Sequence, residues 1–315
     1  MFYQTKAKEE MPKCVIYADC GNDTTMILKN NEEHPLVIPT LLSKATSKMY
    51  YGAYLVRYEG EDYVIGDTNQ TINTNTNYSK MDLTHKLTLW TAIHQAIDCD
   101  TVIETLYVGM PIGTYYNRDY REEYKKFYKE DVSIAVNGVM KKFYVKNVIV
   151  LPESVGWIFT NQHDGLIGIV DIGHTTVDAS VYQDCSPLLG TEFSSVHGAS
   201  YFKTKLRDEL NNRLLMNIQP YQIDEIIKKG LYGSRHDEAK EITNEVKTAF
   251  LRKIVIQMVE HGWELGSMKI VFTGGCSLIL KDVIEEYEDF VVSENCLYDN
   301  LKGFKEMGVL LDELN

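Results

Sequence analysis

The sequence predicts an α/β fold built from two similar halves, and three observations support this. Short apolar strands and amphipathic helices are mixed along all 315 residues, which favours α/β layers over a bundle or a sandwich. The segment 19–25 (DCGNDTT) recurs as 171–176 (DIGHTT), about half the chain length further on. Each copy follows one short apolar strand and precedes another. The repeat predicts a duplicated domain with one acidic turn from each half facing a shared cleft.

Elements in the first half are predicted from hydrophobic periodicity and turn residues. The Asn137-Gly138 dipeptide suits a two-residue turn with positive φ, so it predicts a hairpin. The predicted strands are 15–18, 24–29, 132–136, 139–145 and 148–151, and a helix is predicted over 154–162. The tyrosine-rich segment 115–128 alternates with charges and predicts an amphipathic surface helix, with a role in protein contacts left open.

The second half repeats the mixture of strands and helices. Residues 198–216 have helical spacing, which places Phe202, Leu206, Leu210 and Leu214 on one face. The predicted strands are 166–170, 177–182 and 270–273, and further helices are predicted over 220–230, 238–262 and from Gly274-Gly275 to about Tyr287.

Composition and charge restrict the classes of protein. With 44% hydrophobic and 24% charged residues, the chain is globular rather than disordered. No apolar run approaches the roughly 18–20 residues that cross a bilayer, and the polar first segment, 1–13, is unlike a secretory signal, so we expect a cytoplasmic protein. The net charge of −13 argues against duplex DNA or an anionic membrane as a direct partner. Six cysteines without CxxC spacing predict neither a disulfide framework nor a zinc ribbon.

The two acidic turns have the residue types of a phosphate site. Glycine lets the backbone approach an anion, successive N–H groups form an anion-binding concavity, and threonine hydroxyls add donors. An aspartate beside a phosphate requires a cation between them, which indicates a hydrated Mg²⁺. Either turn alone could be an ordinary hairpin, but two related turns predict a polyphosphate clamp.

Two further segments are candidates for chemistry. At Gly274 and Gly275 a strand runs into a helix, and such a junction lets a ring or a ribose lie against the backbone. Glu153 follows a strand, where its carboxylate could orient a water toward a terminal phosphate or simply interact with a helix dipole. His174, inside the second turn, could contact a ligand or be an exposed turn residue. HExxH, GxxxxGK[ST] and GxSxG motifs are absent from the sequence.

Together, these segments resemble the actin and sugar-kinase superfamily, and within it the ParM-type plasmid-segregation actins. The resemblance covers about residues 14–312 and implies duplicated actin-like (ribonuclease H-like) domains that flank a nucleotide cleft. It implies a first domain over 1–165, to which 300–315 returns, and a second domain over 166–299. The segments that carry it are DCGNDTT, LPES around Glu153, GIVDIGHTTVDASVY (168–182), GASYFKTKLRDEL (198–210), VFTGGCSLIL (271–280) and the late residues Tyr298, Asp299 and Gly303.

The resemblance also assigns site residues. Glu153 matches the catalytic residue that positions the attacking water, and Asp19 and Asp171 match residues that hold Mg²⁺ through water. The nucleotide-binding residues that it implies are Asp19, Gly21, Asn22, Thr24, Gly173, Thr175, Thr176, Gly274 and Gly275. The first turn departs from the family pattern, because it is one residue longer than its counterpart and has no obvious basic residue. Which of the residues 22–25 contact phosphate is left open.

The function implied by the resemblance is that of a filament-forming ATPase that uses ATP and Mg²⁺, with GTP left open. The partners implied are further copies of the chain in a polar filament and a DNA-binding adaptor of the ParR type, with no direct binding to nucleic acid or membrane. The resemblance also implies that the protein lies in the cytoplasm of a bacterium and that a plasmid encodes it. The alternatives are a sugar or carboxylate kinase of the same superfamily and a chromosomal cytoskeletal actin homologue.

Overall fold

The computed structural model describes residues 11–45, 52–67, 79–231 and 235–313. The outer ends of the predicted domain ranges, 1–10 and 314–315, lie outside the described residues. None of the helices within the described ranges is both long and apolar enough to cross a membrane.

The first half of the chain forms a ten-stranded sheet within the described residues, with the strand order β3-β2-β1-β7-β9-β8-β5-β6-β4 and with β10 beside β7. Its strands are β1 (Lys13–Cys20), β2 (Thr24–Lys29), β3 (Leu36–Pro39), β4 (Leu42–Lys44), β5 (Tyr54–Tyr58), β6 (Glu61–Ile65), β7 (Thr101–Met110), β8 (Asp131–Val136), β9 (Val139–Val145) and β10 (Val148–Pro152). The helices of this half are α1 (Leu83–Ala96), α2 (Ile112–Tyr115), α3 (Arg118–Tyr128) and α4 (Gly156–Asn161).

The second half forms a six-stranded sheet within the described residues, with the order β13-β12-β11-β15-β16 and with β14 beside β12. Its strands are β11 (Leu166–Ile172), β12 (Val177–Gln183), β13 (Ser186–Pro187), β14 (Phe193–Ser195), β15 (Lys269–Thr273) and β16 (Phe290–Val292). The helices are α5 (Ala199–Leu214), α6 (Ile223–Lys229), α7 (His236–Glu260), α8 (Gly275–Ile279), α9 (Lys281–Ile284) and α10 (Asp299–Glu313), and 3-10 turns cover Pro220–Gln222 and Leu265–Ser267.

The two sheets share a central arrangement, which confirms the predicted duplicated α/β fold. β1 pairs antiparallel with β2 and parallel with β7. In the second sheet, β11 pairs antiparallel with β12 and parallel with β15. Each acidic turn therefore joins an antiparallel pair whose first strand also has a parallel neighbour. The parallel neighbours need long crossover connections, which account for the helices between them.

Each half has its own hydrophobic core. In the first half, Trp90 of α1 packs edge-on against Tyr128 and Phe143 within the core. In the second half, the predicted face of α5 is buried against the sheet and α7, with Phe202 and Leu206 fully inaccessible. The predicted hairpin at Asn137-Gly138 is confirmed, since both residues have positive φ (50° and 82°).

Three local predictions require correction. The helix predicted to run from Gly274 to about Tyr287 is interrupted at Leu280, whose carbonyl accepts from the N–H groups of both Val283 and Ile284 (3.1 and 2.9 Å), and α9 ends at Ile284. The helix predicted over 154–162 begins only at Gly156. The tyrosine-rich helix is not only a surface element, because two of its tyrosines lie in the core.

The last helix, α10, returns to the first half of the chain. Leu301 and Phe304 pack into a small core with Tyr17 of β1 and Tyr107 of β7. α10 also crosses α4, where a Cβ atom added to Gly303 would overlap the backbone of Gly156. The absence of side chains at these two glycines allows the two helices to touch through their backbones.

Gly303→Ala should therefore destabilise the protein by about 1–3 kcal/mol, because the added methyl group forces α10 away from α4. Urea unfolding monitored by circular dichroism measures the change. Gly266→Ala is the matched control, because a Cβ atom at Gly266 meets nothing within 4 Å. Equal stability of the two variants would contradict the close contact between the helices.

Candidate functional site

A cleft of about 680 Å³ lies between the two halves and is lined by both acidic turns. In open α/β sheets, ligands bind beyond the carboxyl ends of the strands, and β1, β10, β11 and β15 all direct these ends toward the cleft. The sequence-predicted site residues that line it are Asp19, Gly21, Asn22, Thr24, Glu153, Asp171, Gly173, Thr175, Thr176, Gly274 and Gly275. The structure thus brings together every residue predicted for the site.

The second turn is fixed by the start of α5. The carbonyl groups of Gly173, His174 and Thr175 accept hydrogen bonds of 2.8–2.9 Å from the N–H groups of residues 198–200. In a trans peptide the N–H group points opposite to the carbonyl of the same unit. The N–H groups of residues 174–176 therefore point away from α5, in the arrangement that binds an anion.

The first turn is fixed by Thr40, which the sequence did not indicate. Its hydroxyl donates to the carbonyl of Gly21 (2.8 Å), and its N–H donates to the carbonyl of Asp23 (2.8 Å). The hydroxyl groups of Thr40 and Thr25 are 3.0 Å apart. Thr25 is therefore directed toward Thr40, whereas residues 22–24 line the cleft. Of the residues 22–25, for which contact with phosphate was left open, 22–24 are the ones placed to contact a ligand.

Two observations on the turns fit a phosphate group. The Thr175 hydroxyl is buried and has no hydrogen-bond partner among the described residues, so it has a donor available for a ligand in the cleft. A Cβ atom at Gly21 would lie 2.8 Å from the carbonyl oxygen of Thr24, and one at Gly274 (φ +82°) would overlap the Asp171 carboxylate. Only glycine leaves the backbone accessible at these two places.

Four carboxylates lie close together at the base of the cleft. Glu153, Asp171 and Asp178 are buried, whereas Asp19 is partly buried, and all of them except Asp178 line the cleft. Burial, followed by repulsion from Glu153, raises the pKa of Asp19 to about 6. The same two causes raise the pKa of Asp178 to about 6. The pKa of Asp171 is raised well above its usual value by burial and by the other carboxylates. The cluster is therefore costly to ionise without a nearby positive charge.

Lys80 supplies a positive charge to this cluster. Its ammonium group donates to Oε1 of Glu153, and the two side chains are only 4% and 7% exposed. Burial lowers the pKa of Lys80, but the Glu153 and Asp19 carboxylates outweigh it and raise the pKa overall. Lys80 therefore stays charged, and the sequence analysis missed it because it belongs to no motif.

Asn300, the second residue of α10, connects the two halves beside the cluster. Its amide donates to the Asp171 carboxylate (2.6 Å), and its side-chain oxygen accepts from the N–H group of Ser154 (3.1 Å). Asp178 makes a second connection, since it accepts from the N–H of Ile112 (3.1 Å) and from the Ser194 hydroxyl. These contacts hold the acidic turn of the second half against the first half.

The carboxylates of Asp19 and Asp171 are oxygen donors of the kind that Mg²⁺ prefers, and Mg²⁺ usually keeps several waters. Within the described residues, no group of three or more His, Cys, Asp or Glu side chains is placed to hold a metal ion directly. The assignment of Mg²⁺ to Asp19 and Asp171 through water stays a prediction.

The opposite end of the cleft is formed by the second half. Lys203 of α5 pairs with Asp224 of α6 (2.7 Å), and both line the cleft with Lys228, Leu278 and Leu297. This end lies around the Gly274-Gly275 junction and combines apolar and polar groups, as a nucleoside requires.

Across the mouth of the cleft, His174 Nδ1 is 3.6 Å from the Asp23 carboxylate, and the His174 side chain is only 15% exposed. His174 is therefore not simply an exposed turn residue.

Comparisons with known proteins agree with this arrangement. Residues 18–156 match the family model described as actin like proteins N terminal domain. No curated protein matches the chain.

Solved structures match over nearly the whole chain. An Alp12 filament structure is 21% identical, covers 96% of this chain and 100% of its own, and has a TM-score of 0.70. A 15-stranded ParM filament from Clostridium botulinum is 15% identical, with coverages of 95% and 100% and a TM-score of 0.77. The archaeal actin homolog Ta0583 in complex with ADP is 15% identical, with coverages of 94% and 99% and a TM-score of 0.74. The chain has an actin-like fold, and its predicted resemblance to ParM-type proteins is confirmed at that level.

The raised pKa of Asp178 gives a testable pH dependence. The Asp178 carboxyl has a pKa of about 6 in the folded protein, against 3.8 in the unfolded chain. Its ionisation therefore lowers the free energy of unfolding as the pH rises from about 4 to about 6. Asp178→Asn should abolish this contribution and raise the free energy of unfolding at pH 7 by at most about 3 kcal/mol.

Urea unfolding at several pH values between 4 and 7 measures the effect, with the exposed Asp164→Asn as a control that also removes one carboxylate. If the Asp178→Asn and unchanged proteins lost stability in parallel across this range, the burial of an unfavourable charge at Asp178 would be contradicted.

Proposed function

We propose that this chain is a nucleotide-dependent, filament-forming actin-like ATPase that hydrolyses ATP with Mg²⁺ and segregates plasmid DNA through an adaptor protein. The observation that carries the proposal is the meeting of two related acidic turns in one cleft, each with glycine and threonine at its tip. Two such turns on opposite walls suit a chain of phosphates better than a single anion.

In this proposal, the phosphates lie between the N–H groups of the two turns. The unpaired hydroxyl of Thr175 donates to one of them, and Thr24 and Thr176 extend the donor set. Asp19 and Asp171 would hold Mg²⁺ through water, and the ion would supply positive charge that neutralises the phosphates. The nucleoside lies against Gly274 and Gly275, next to the Lys203–Asp224 pair.

Glu153 is the proposed catalytic residue. It directly follows β10, and its N–H donates to the carbonyl of Met110 (2.8 Å), which fixes its backbone at the base of the cleft. Its carboxylate accepts a hydrogen bond from a water and orients that water for in-line attack on the terminal phosphate. The chain supplies positioning and charge neutralisation, and no covalent intermediate is required.

Filament formation follows from closure of the cleft. The two solved filaments with this fold support the proposal that this chain also assembles with copies of itself into a polar filament. Nucleotide bound to both turns draws the two halves together, a hinge-type closure that favours one packing between subunits. Loss of the terminal phosphate removes a contact that bridges the halves and weakens the filament.

The remaining parts of the proposal concern partners and organisation. The net charge of −13 suits a chain that leaves DNA binding to a ParR-type adaptor. We place the protein in the bacterial cytoplasm.

We place the boundary of the two domains near residue 165, and the packing of α10 against β1 and α4 supports the return of residues 300–315 to the first domain. ATP is the proposed nucleotide, and GTP is the alternative.

Light scattering with Mg-ATP tests this proposal. The unchanged protein should show a rise after Mg-ATP is added, followed by a fall as phosphate is released, and electron microscopy should show filaments at the plateau. Glu153→Gln should give the same rise and a phosphate release about 100-fold slower, so its filaments persist.

Glu61→Gln is the matched control, because it removes a carboxylate from an exposed hairpin and should behave like the unchanged protein. Phosphate transfer to a sugar without any change in scattering would favour a kinase of the same superfamily and reject the filament-forming role.

A further inference from the structure

The tyrosines of α3 are arranged around the segment that carries Lys80. Tyr120, Tyr124 and Tyr128 are four residues apart, so they share one face of the helix. Tyr120 donates to the carbonyl of Ser79 (2.8 Å), and Tyr128 donates to the carbonyl of Lys80 (3.2 Å). Tyr124 and Tyr128 are fully buried, so the hydrogen bonds that their hydroxyl groups make lie in the protein interior.

The third tyrosine acts on the strand that lies beneath Glu153. Tyr124 donates to the carbonyl of Gly109 near the end of β7 (3.1 Å). A Cβ atom at Gly109 would lie 3.2 Å from Oε1 of Glu153, so the carboxylate sits directly over this glycine. The same helix also packs against β10, which ends next to Glu153. One face of α3 therefore supports both partners of the Lys80–Glu153 pair.

The backbone at Lys80 is held in an unfavourable conformation. Lys80 has φ +50°, in the left-handed region that residues other than glycine rarely adopt. Such a conformation persists only where surrounding contacts determine it, and it tends to occur at functional sites. The Tyr128 hydroxyl on the Lys80 carbonyl is one of these contacts, and the ammonium group on Glu153 is another.

A stabilising role alone does not account for this pair. Burying two opposite charges costs about as much as their attraction returns, so a buried ion pair adds little to stability. What the pair does fix is geometry, because Glu153 would otherwise be repelled by Asp19 and Asp171. The pair also lines the cleft, so the direction of the Glu153 carboxylate matters to whatever binds there.

We propose that Lys80 is a positioning residue for nucleotide hydrolysis: its ammonium group holds the Glu153 carboxylate in the direction that orients water, and the tyrosine face of α3 holds Lys80. This inference rests on the proposed function. Lys80 also supplies the first half of the chain with a positive charge near the proposed phosphate site, since the first acidic turn, 19–25, contains no basic residue. The inference also assigns a role to the tyrosine-rich segment.

Single-turnover hydrolysis of ATP with Mg²⁺ tests the inference, together with the dissociation constant of Mg-ADP measured separately. Lys80→Met should slow hydrolysis about 100-fold, to the level of Glu153→Gln. Because Lys80 acts through Glu153, the double variant Lys80→Met/Glu153→Gln should be no slower than either single variant. Lys80→Arg should recover part of the rate, and the dissociation constant for Mg-ADP should change much less than the rate.

Tyr128→Phe keeps the ring in the core and removes only the hydroxyl group that holds Lys80, so it carries the test even if Lys80→Met does not fold. It should slow hydrolysis about 3- to 10-fold, the loss expected for one supporting hydrogen bond. Tyr221→Phe, at a tyrosine that is 77% exposed, is the matched control and should hydrolyse ATP at the unchanged rate.

Two outcomes would overturn the positioning role. One is losses that multiply in the double variant, which would mean that Lys80 acts independently of Glu153. The other is an unchanged rate in Lys80→Met and in Tyr128→Phe. Failure of the unchanged protein to bind Mg-ADP or hydrolyse ATP is a different result, because it rejects the proposed function and this role with it.

Discussion

Repulsion among buried carboxylates is the constraint on which the cleft depends. Asp19, Asp171 and Asp178 come from related strand-turn-strand units, and Glu153 completes the group, so folding places four acids where water is scarce. The pKa values of Asp19 and Asp178 are raised by burial and by repulsion from Glu153, which is the sign that ionising them here is unfavourable. Lys80 and Asn300 offset part of this cost, and a cation that accompanies a ligand would offset more. The cleft is therefore suited to a ligand that arrives with a metal ion.

The fold explains why these groups meet. Each sheet pairs a hairpin with a parallel strand, and the carboxyl ends of β1 and β11, where the two acidic turns begin, both lie at the cleft. The carbonyls of the second turn are used by the start of α5 and those of the first turn by Thr40. Both turns consequently present their N–H groups on the other side. Asn300 then joins Asp171 to Ser154, which couples the position of the second turn to the residue next to Glu153.

The sequence was sufficient for the parts of the site that are encoded locally. The two acidic turns and the Gly274-Gly275 junction each consist of consecutive residues whose types reveal their geometry, and the repeat showed that the turns are related. Lys80, Thr40 and Asn300 could not be found in this way, because each belongs to no local motif and acts through contacts with residues that only the tertiary structure brings next to it. The tyrosines of α3 were misread for a similar reason: alternation with charges is typical of a surface helix, and only the tertiary structure shows that Tyr124 and Tyr128 face inward.

The central claim is that the two acidic turns, 19–25 and 171–176, bind the same phosphates. A crystal structure of the protein with Mg-ADP tests this claim most directly. The account predicts the two phosphates between Gly21 and Thr175, a hydrated Mg²⁺ next to Asp19 and Asp171, and the base beside Gly274. A nucleotide bound outside the cleft, or one that contacts only a single turn, would contradict it.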